Sequence, residues 1–177
     1  MRIIGGKHKG RKLKEFDINC VRPTSDRARE ALFNILSSDI AGASFLDVFC
    51  GTGAIGLEAV SRGATVTFVD SDRRSVKLVN DNLALIKESA NVVSESAEEF
   101  FKRNKTGYDI IFLDPPYNYD NYKGLTELIF RSGALNKGGR LIVERTAKAA
   151  PEYFSGFTVA DVRKYGLNAF DFLVSAN

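Results

Sequence analysis

Asp114-Pro115-Pro116-Tyr117 follows the apolar run Ile110-Ile111-Phe112-Leu113, so a buried strand delivers a rigid polar corner to its carboxyl end. Each proline holds the residue before it in extended geometry, and neither carries an N–H. What the corner offers is acceptors: the Asp114 carboxylate and the Pro115 carbonyl. A fixed pair of acceptors can take both hydrogens of an exocyclic NH2 group and aim its nitrogen. Tyr117 adds a ring on which a planar base can stack. Gripping both N–H groups draws the nitrogen lone pair out of conjugation, so a strong electrophile can be attacked without a strong base. A Pro-Pro surface turn with a solvated aspartate is the plain alternative, and the preceding strand counts against it.

A second cluster lies earlier in the chain. Gly51-Thr52-Gly53-Ala54-Ile55-Gly56 fits G-x-G-x-x-G, and Asp70 lies 19 residues beyond Gly51. Glycines let backbone approach a ligand closely, and a carboxylate at that distance can accept both ribose hydroxyls. The pattern alone fits NAD or any other adenosine-bearing cofactor. Asp47 favours S-adenosylmethionine, because a carboxylate is awkward beside a pyrophosphate but suits a sulfonium and an ammonium group. The neutral helix start leaves the pyrophosphate option open. A nicotinamide oxidoreductase would also want an acid for the hydride step, and no histidine stands near these residues.

The elements that must position these residues alternate. Phe45 to Cys50 reads as a strand, 54–62 as a helix, Thr65 to Val69 as a strand ending at Asp70, and 72–87 as an amphipathic helix. A short strand at Val92-Val93, a helix near 97–104, the strand Tyr108 to Leu113 and a helix near 121–132 follow. After the turn Lys137-Gly138-Gly139 come a strand from Arg140 to Glu144 and two more near 157–165 and 168–175. Strands separated by helices predict an α/β, doubly wound Rossmann-like sheet, mostly parallel with an antiparallel C-terminal edge. Ligands bind such sheets beyond the carboxyl ends of the strands, so the glycine turn, Asp70 and Asp114 should meet at one edge.

Before that sheet, Arg2-Ile3-Ile4 and Arg11-Lys12-Leu13 flank a glycine-rich turn and suggest a short hairpin. Arg22-Pro23-Thr24-Ser25-Asp26 then reads as a helix start, with Ala28, Ala31, Leu32, Ile35 and Leu36 as its buried stripe. The expected division is a basic hairpin extension over 1–22 and a main domain over 23–177.

With 177 residues, 44% of them apolar, the chain can bury a full core without disulfide or metal staples. No apolar run exceeds four residues, which is far short of a spanning helix, and no signal-peptide pattern opens the chain. Cys20 and Cys50 match no metal spacing and read as reduced thiols of a cytoplasmic protein. Net charge is only +3, but residues 1–30 hold nine Lys/Arg against four Asp/Glu. That asymmetry suggests a polyanion partner tracked by Lys7, Lys9, Arg11, Lys12, Arg22, Arg27 and Arg29. A solvated lysine-rich edge is the bland alternative.

Asp47 to Ala59, with its glycine turn, together with Asp114-Pro115-Pro116-Tyr117, resembles the amino-group methyltransferases that depend on S-adenosylmethionine. The N-terminal blocks Arg2-Ile3-Ile4-Gly5-Gly6, Gly10-Arg11-Lys12-Leu13 and Arg22 to Asn34 are similar to the RsmD family, which modifies N2 of a guanine in small-subunit (16S) ribosomal RNA. The resemblance implies a methyltransferase sheet, S-adenosyl-L-methionine as cofactor, no metal, and ribosomal RNA or an assembling small subunit as partner of a monomer. It places Asp47, Phe49, Gly51 and Gly53 at the cofactor, Asp70 at its ribose, and Asp114, Pro115 and Tyr117 at the target amine. Ser96 stands where an aspartate near the adenine is common, and the backbone N–H of Ala97 can still serve. A DNA or other RNA amino-methyltransferase and a non-catalytic RNA-binding assembly factor are the alternatives. The intact Asp114 corner speaks against the latter.

Overall fold

The computed structural model describes residues 1–16, 26–148 and 150–176. Arg22, Cys20 and the boundary at residues 22–23 lie outside the described residues. The elements are α1 (Asp26–Ile35), β1 (Ser44–Val48), α2 (Ala54–Ser61), β2 (Thr65–Asp70), α3 (Arg73–Ile86), β3 (Asn91–Ser94), α4 (Ala97–Arg103), β4 (Tyr108–Leu113), α5 (Tyr122–Ser132), β5 (Leu135–Thr146), β6 (Phe157–Tyr165) and β7 (Asn168–Ser175). The strands form one sheet in the order β3-β2-β1-β4-β5-β7-β6. The pairs up to β5 are parallel, and β7 pairs antiparallel with both β5 and β6. This is the doubly wound sheet with an antiparallel C-terminal edge that the alternation predicts. No helix among the described residues is long and apolar enough to cross a membrane.

Both faces of the sheet are covered, which is why its central strands are apolar without a polar face. Phe45, Phe68, Phe112 and Phe170 pack on one side with Leu32, Phe33 and Leu57. Leu46, Val48, Ile111, Leu113 and Val143 pack on the other with Phe100, Phe101 and Ile129. The turn Lys137-Gly138-Gly139 lies inside β5: Tyr108 pairs with Leu135 and Ile110 with Arg140, so the intervening residues bulge out. Gly138 takes the left-handed conformation (φ 79°) that the bulge requires.

The short N-terminal hairpin is present: Arg2 bridges Lys12, Ile3 N–H donates to the Arg11 carbonyl at 3.0 Å and Leu13 N–H to the Met1 carbonyl at 3.1 Å. Its turn docks on α2: Lys7 N–H donates to the Ser61 carbonyl at 2.8 Å, and His8 N–H to Ser61 Oγ at 3.0 Å. Ser61 Oγ in turn donates to the Gly5 carbonyl at 2.6 Å. A side chain at Gly6 would meet the Ser61 carbonyl oxygen at 1.9 Å, so only glycine permits this approach. Ile3 and Leu13 enter the same core as Phe33, and α2 is buried from Ile55 to Ser61.

Candidate active site

The order of the sheet reverses between β1 and β4, with β2 beyond β1 and β5 beyond β4. At the end of β1 the chain leaves the sheet through Phe49, which holds a left-handed conformation (φ 60°). A bulky residue there is strained, and such strain persists where surrounding structure imposes it. Gly51 (φ 51°) and Gly53 (φ 76°) complete the turn. Gly51 N–H donates to Asp70 Oδ2 at 2.8 Å, and Asp72 N–H donates to Asp70 Oδ1 at 2.8 Å. Asp70 therefore ties the end of β2 to the glycine turn after β1.

Asp47 points from β1 under α2, where Gly56 N–H donates to its Oδ2 at 2.9 Å. A side chain at Gly56 would meet Phe68 at 2.2 Å and this carboxylate oxygen at 2.9 Å, so the third glycine of the pattern makes room for strand and helix to touch. Asp47 is 2% exposed. Burial, with Asp70 and Glu144 nearby, pushes its carboxyl up to about 7 against the Gly56 hydrogen bond. This donor set fits a cationic cofactor: a cation in the turn would offset the cost of charging Asp47, while a side chain at Gly51 would find no atom nearer than 3.9 Å.

Asp114 follows β4, its N–H donating to the Val48 carbonyl at 3.3 Å. A cavity of about 100 Å³ opens beside it, lined by Asp114, Pro115, Tyr117, Tyr119, Tyr122 and Glu144 among others. Pro115 is buried, whereas Tyr117 is 73% exposed at the mouth. Protein crowding, with Glu144 and Asp47 nearby, raises the Asp114 carboxyl well above the usual carboxylate range. Solvent reaches the group through the cleft mouth and tempers that shift.

Several residues of this cleft escape the sequence reading. Tyr119, Tyr122 and Tyr153 continue from Phe49 in an edge-to-face series, with centroids 5.5, 5.4 and 6.2 Å apart. Tyr119 Oη donates to Glu98 at 2.9 Å and Tyr153 Oη to Asp171 at 2.7 Å. Asp171 also accepts from Arg145 Nε at 2.7 Å, and Glu144 accepts from Asn168 Nδ2 at 2.6 Å. Of these, Glu144 left a signal in sequence: the strand expected from Arg140 ends on it, at the sheet edge where ligands bind.

The family described as "Conserved hypothetical protein 95" matches residues 1–174. An Escherichia coli K12 protein named Ribosomal RNA small subunit methyltransferase D is 40% identical over 146 residues, spanning 81% of this chain and 74% of that protein. The chain belongs to this family, the RsmD family. A Bacillus subtilis relative is 34% identical over 174 residues, spanning 94% of this chain and 95% of its own length. A solved structure from Escherichia coli superposes on the chain with a TM-score of 0.88 at 34% identity, covering 98% of this chain and 96% of that one.

The remaining positions that the RsmD resemblance singles out fall in two groups. Ser96 caps α4, its Oγ accepting from Glu99 N–H at 3.2 Å. Ala97 is the first residue of that helix, so its N–H has no acceptor within the helix. The basic residues divide. Lys7 pairs with Glu88 at 2.7 Å and Arg11 donates to the Leu85 carbonyl at 3.0 Å, so both lean on α3. Lys9 and Arg27, with Arg2, line one groove beside Asp26 and Glu30, and Lys12 is exposed. Arg29 is a correction. It is 1% exposed, donating to the Arg2 carbonyl at 2.7 Å and to Asp26 at 2.8 Å, with Glu58 4.0 Å away. Its side of α1 faces α2 and the N-terminal segment, so its charge is spent inside the fold.

The raised Asp47 carboxyl makes a prediction with a definite sign. The folded chain keeps this proton up to about 7, while the unfolded chain releases it near the ordinary value of 3.8. Asp47 therefore subtracts stability as pH rises from about 4 to about 7 and subtracts it fully above that, by roughly 4 kcal/mol. Thermal melts of Asp47→Asn should show this decline reduced, with the variant gaining most over the parent at pH 8. Equal pH dependence in variant and parent would show that Asp47 is not the group that titrates.

Proposed function

We propose that this chain transfers a methyl group from S-adenosyl-L-methionine to the exocyclic N2 amine of a guanine in small-subunit (16S) ribosomal RNA. The observation that carries this reading is the meeting, at one sheet edge, of Asp47 in β1 and the glycine turn after it, Asp70 at the end of β2 and Asp114-Pro115 after β4. The name of the Escherichia coli relative supports the RNA substrate. The working place is the cytoplasm, where the buried free thiol of Cys50 stays reduced, and the working form is a monomer.

S-adenosylmethionine, when bound, supplies the methyl group on a cationic sulfonium. Asp47, Phe49, Gly51 and Gly53 hold its methionine part, Asp70 its ribose, and Ser96 and Ala97 border its adenine. Asp114 and the Pro115 carbonyl accept the two amine hydrogens and turn the nitrogen lone pair toward the glycine turn. Tyr117 stacks on the base and holds it in the cleft. The amine proton leaves last, to Asp114 or to water, because a strong electrophile needs no deprotonated nucleophile.

Incubating the protein with labelled S-adenosylmethionine and small subunits from a strain lacking it, then mapping the label, tests this reading. Label on N2 of one guanine of the 16S RNA is expected. Label on DNA, on another base, or nowhere would sink it.

The exposed bases supply RNA affinity rather than chemistry. Each phosphate contact contributes about −0.7 to −0.9 to the slope of log affinity against log salt. Replacing Arg2, Lys9, Lys12 and Arg27 by alanine should flatten that slope by roughly 3 and leave cofactor affinity unchanged. Replacing Lys7 and Arg11, which are engaged with α3, should flatten it less. A fourfold variant with the parent's slope would remove this surface from RNA binding.

A further inference from the structure

The cleft contains a second carboxylate for which cofactor binding and amine capture provide no task. Glu144 faces the cavity that Asp114 and Tyr117 line and is 4% exposed. Leu113 of β4 pairs in parallel with Val143 of β5, and the next residue on each strand is a carboxylate. Register thus sets Asp114 and Glu144 side by side. Asn168, across the antiparallel pair, donates to Glu144 Oε1 at 2.6 Å and fixes the carboxylate plane.

Two carboxylates side by side in a cleft repel each other. A glutamine could also accept the hydrogen bond from Asn168. What only a carboxylate adds is a group that accepts at every lone pair and donates nothing. A carboxylate has about four lone-pair sites, so one that faces the cavity can accept from a ligand as well as from protein partners. Such a group matches a base edge that presents donors.

Nucleobases differ in what stands next to the exocyclic amine. In guanine the N2 amine adjoins N1–H, a donor. In adenine and cytosine the amine adjoins a bare ring nitrogen, an acceptor. Enzymes that act on a base read this edge by hydrogen bonds once the base leaves the stack. Resting on the guanine-N2 reading above, we propose that Glu144 is a specificity-determining residue that accepts the N1–H of the target guanine while Asp114 and the Pro115 carbonyl hold the adjacent N2 amine. An adenine or cytosine amine brought to Asp114 sets a ring lone pair against the Glu144 carboxylate. Sites built on a donor the substrate must supply reject analogues lacking it by large factors.

The test uses 2-aminopurine, which keeps the 2-amino group, replaces N1–H by a bare nitrogen and lacks the 6-oxo group, so the change in preference on altering Glu144 is what reports the N1 contact. Small-subunit RNA carrying guanine or 2-aminopurine at the mapped nucleotide is assembled into subunits and methylated by the full-length protein. The parent should prefer guanine in kcat/KM by at least about 10²-fold. In Glu144→Gln the amide can donate to the bare nitrogen or accept from N1–H, so the preference should fall at least about tenfold. Cofactor titration of the variant reads whether the site is folded. Glu144→Asp, a second variant, withdraws the acceptor by one methylene; it should lower kcat/KM on guanine at least about tenfold and still reject 2-aminopurine. A Glu144→Gln preference within about twofold of the parent's, or a Glu144→Asp variant with the parent's guanine kcat/KM, overturns the role of Glu144. If the parent's methyl group maps elsewhere than guanine N2, the functional reading fails and this proposal fails with it. If it maps to N2 while the preference is unmoved, only the proposal fails.

Discussion

Replacing Asp114 by asparagine should cut turnover by about 10²-fold or more, with cofactor affinity nearly unchanged. The substitution keeps the shape of the side chain and one acceptor oxygen. It also turns an NH2 group toward an amine that is itself a donor, so a hydrogen bond becomes a repulsion. Losses of about 10²–10³ follow removal of one hydrogen bond that matters most in the transition state. Asp114 sits after β4, on the cleft side of the glycine turn, so the cofactor site should hold. The acceptor must be ionised, and its carboxyl lies above the usual range because of protein crowding and the neighbouring Glu144 and Asp47. Turnover of the parent should therefore rise with pH as Asp114 loses its proton, and the asparagine variant should lack that rise. Single-turnover rates with saturating cofactor measure both. Near-normal turnover in the variant would take Asp114 out of the mechanism.

The largest stability effect should come from Glu58, far from the chemistry. It is 1% exposed and accepts from Ile4 N–H at 2.8 Å, Gly5 N–H at 2.7 Å and Arg62 Nε at 2.8 Å. Buried Arg29 lies 4.0 Å away. Glu58→Ala removes the shared partner of two backbone donors and two guanidinium groups. Leaving a buried charge uncompensated costs about 3–5 kcal/mol, a large share of the 5–15 kcal/mol that holds a domain together. Urea unfolding should show a lower midpoint with little change in slope, and amide exchange near Ile3 should lose protection first. Glu58→Gln keeps the acceptor for one backbone donor and should lose less. A loss under about 1 kcal/mol for the alanine variant would mean that the N-terminal segment is held by its apolar contacts alone.

Much of this was legible in the sequence, for a physical reason. The glycine turn, Asp70 and the Asp-Pro-Pro-Tyr corner are short-range patterns, and each follows a strand whose apolar run marks it as buried. Strand-helix alternation dictates parallel pairing, and parallel pairing puts all the carboxyl ends on one side. Asp47, Asp70 and Asp114 could be brought together before any coordinates, because their positions along their own strands suffice.

Other features depend on partners far apart in the chain, and no local pattern carries them. Arg29 lies off the apolar stripe of α1 and reads as exposed; it is buried because Glu58 and the Arg2 carbonyl, 29 and 27 residues away in sequence, form its surroundings. The N-terminal glycines suggest the hairpin, but no local pattern tells that its turn docks on Ser61 of α2 through the backbone of Lys7 and His8. Glu144 stands beside Asp114 only through the register of β4 with β5, and Asn168 reaches it only because β7 returns antiparallel. Sequence determined which strand ends carry carboxylates and glycine turns, since that is a property of each strand. Tertiary structure decided which charges face the ligand and which are spent holding the fold, since a charge's role depends on the partner that packing brings to it.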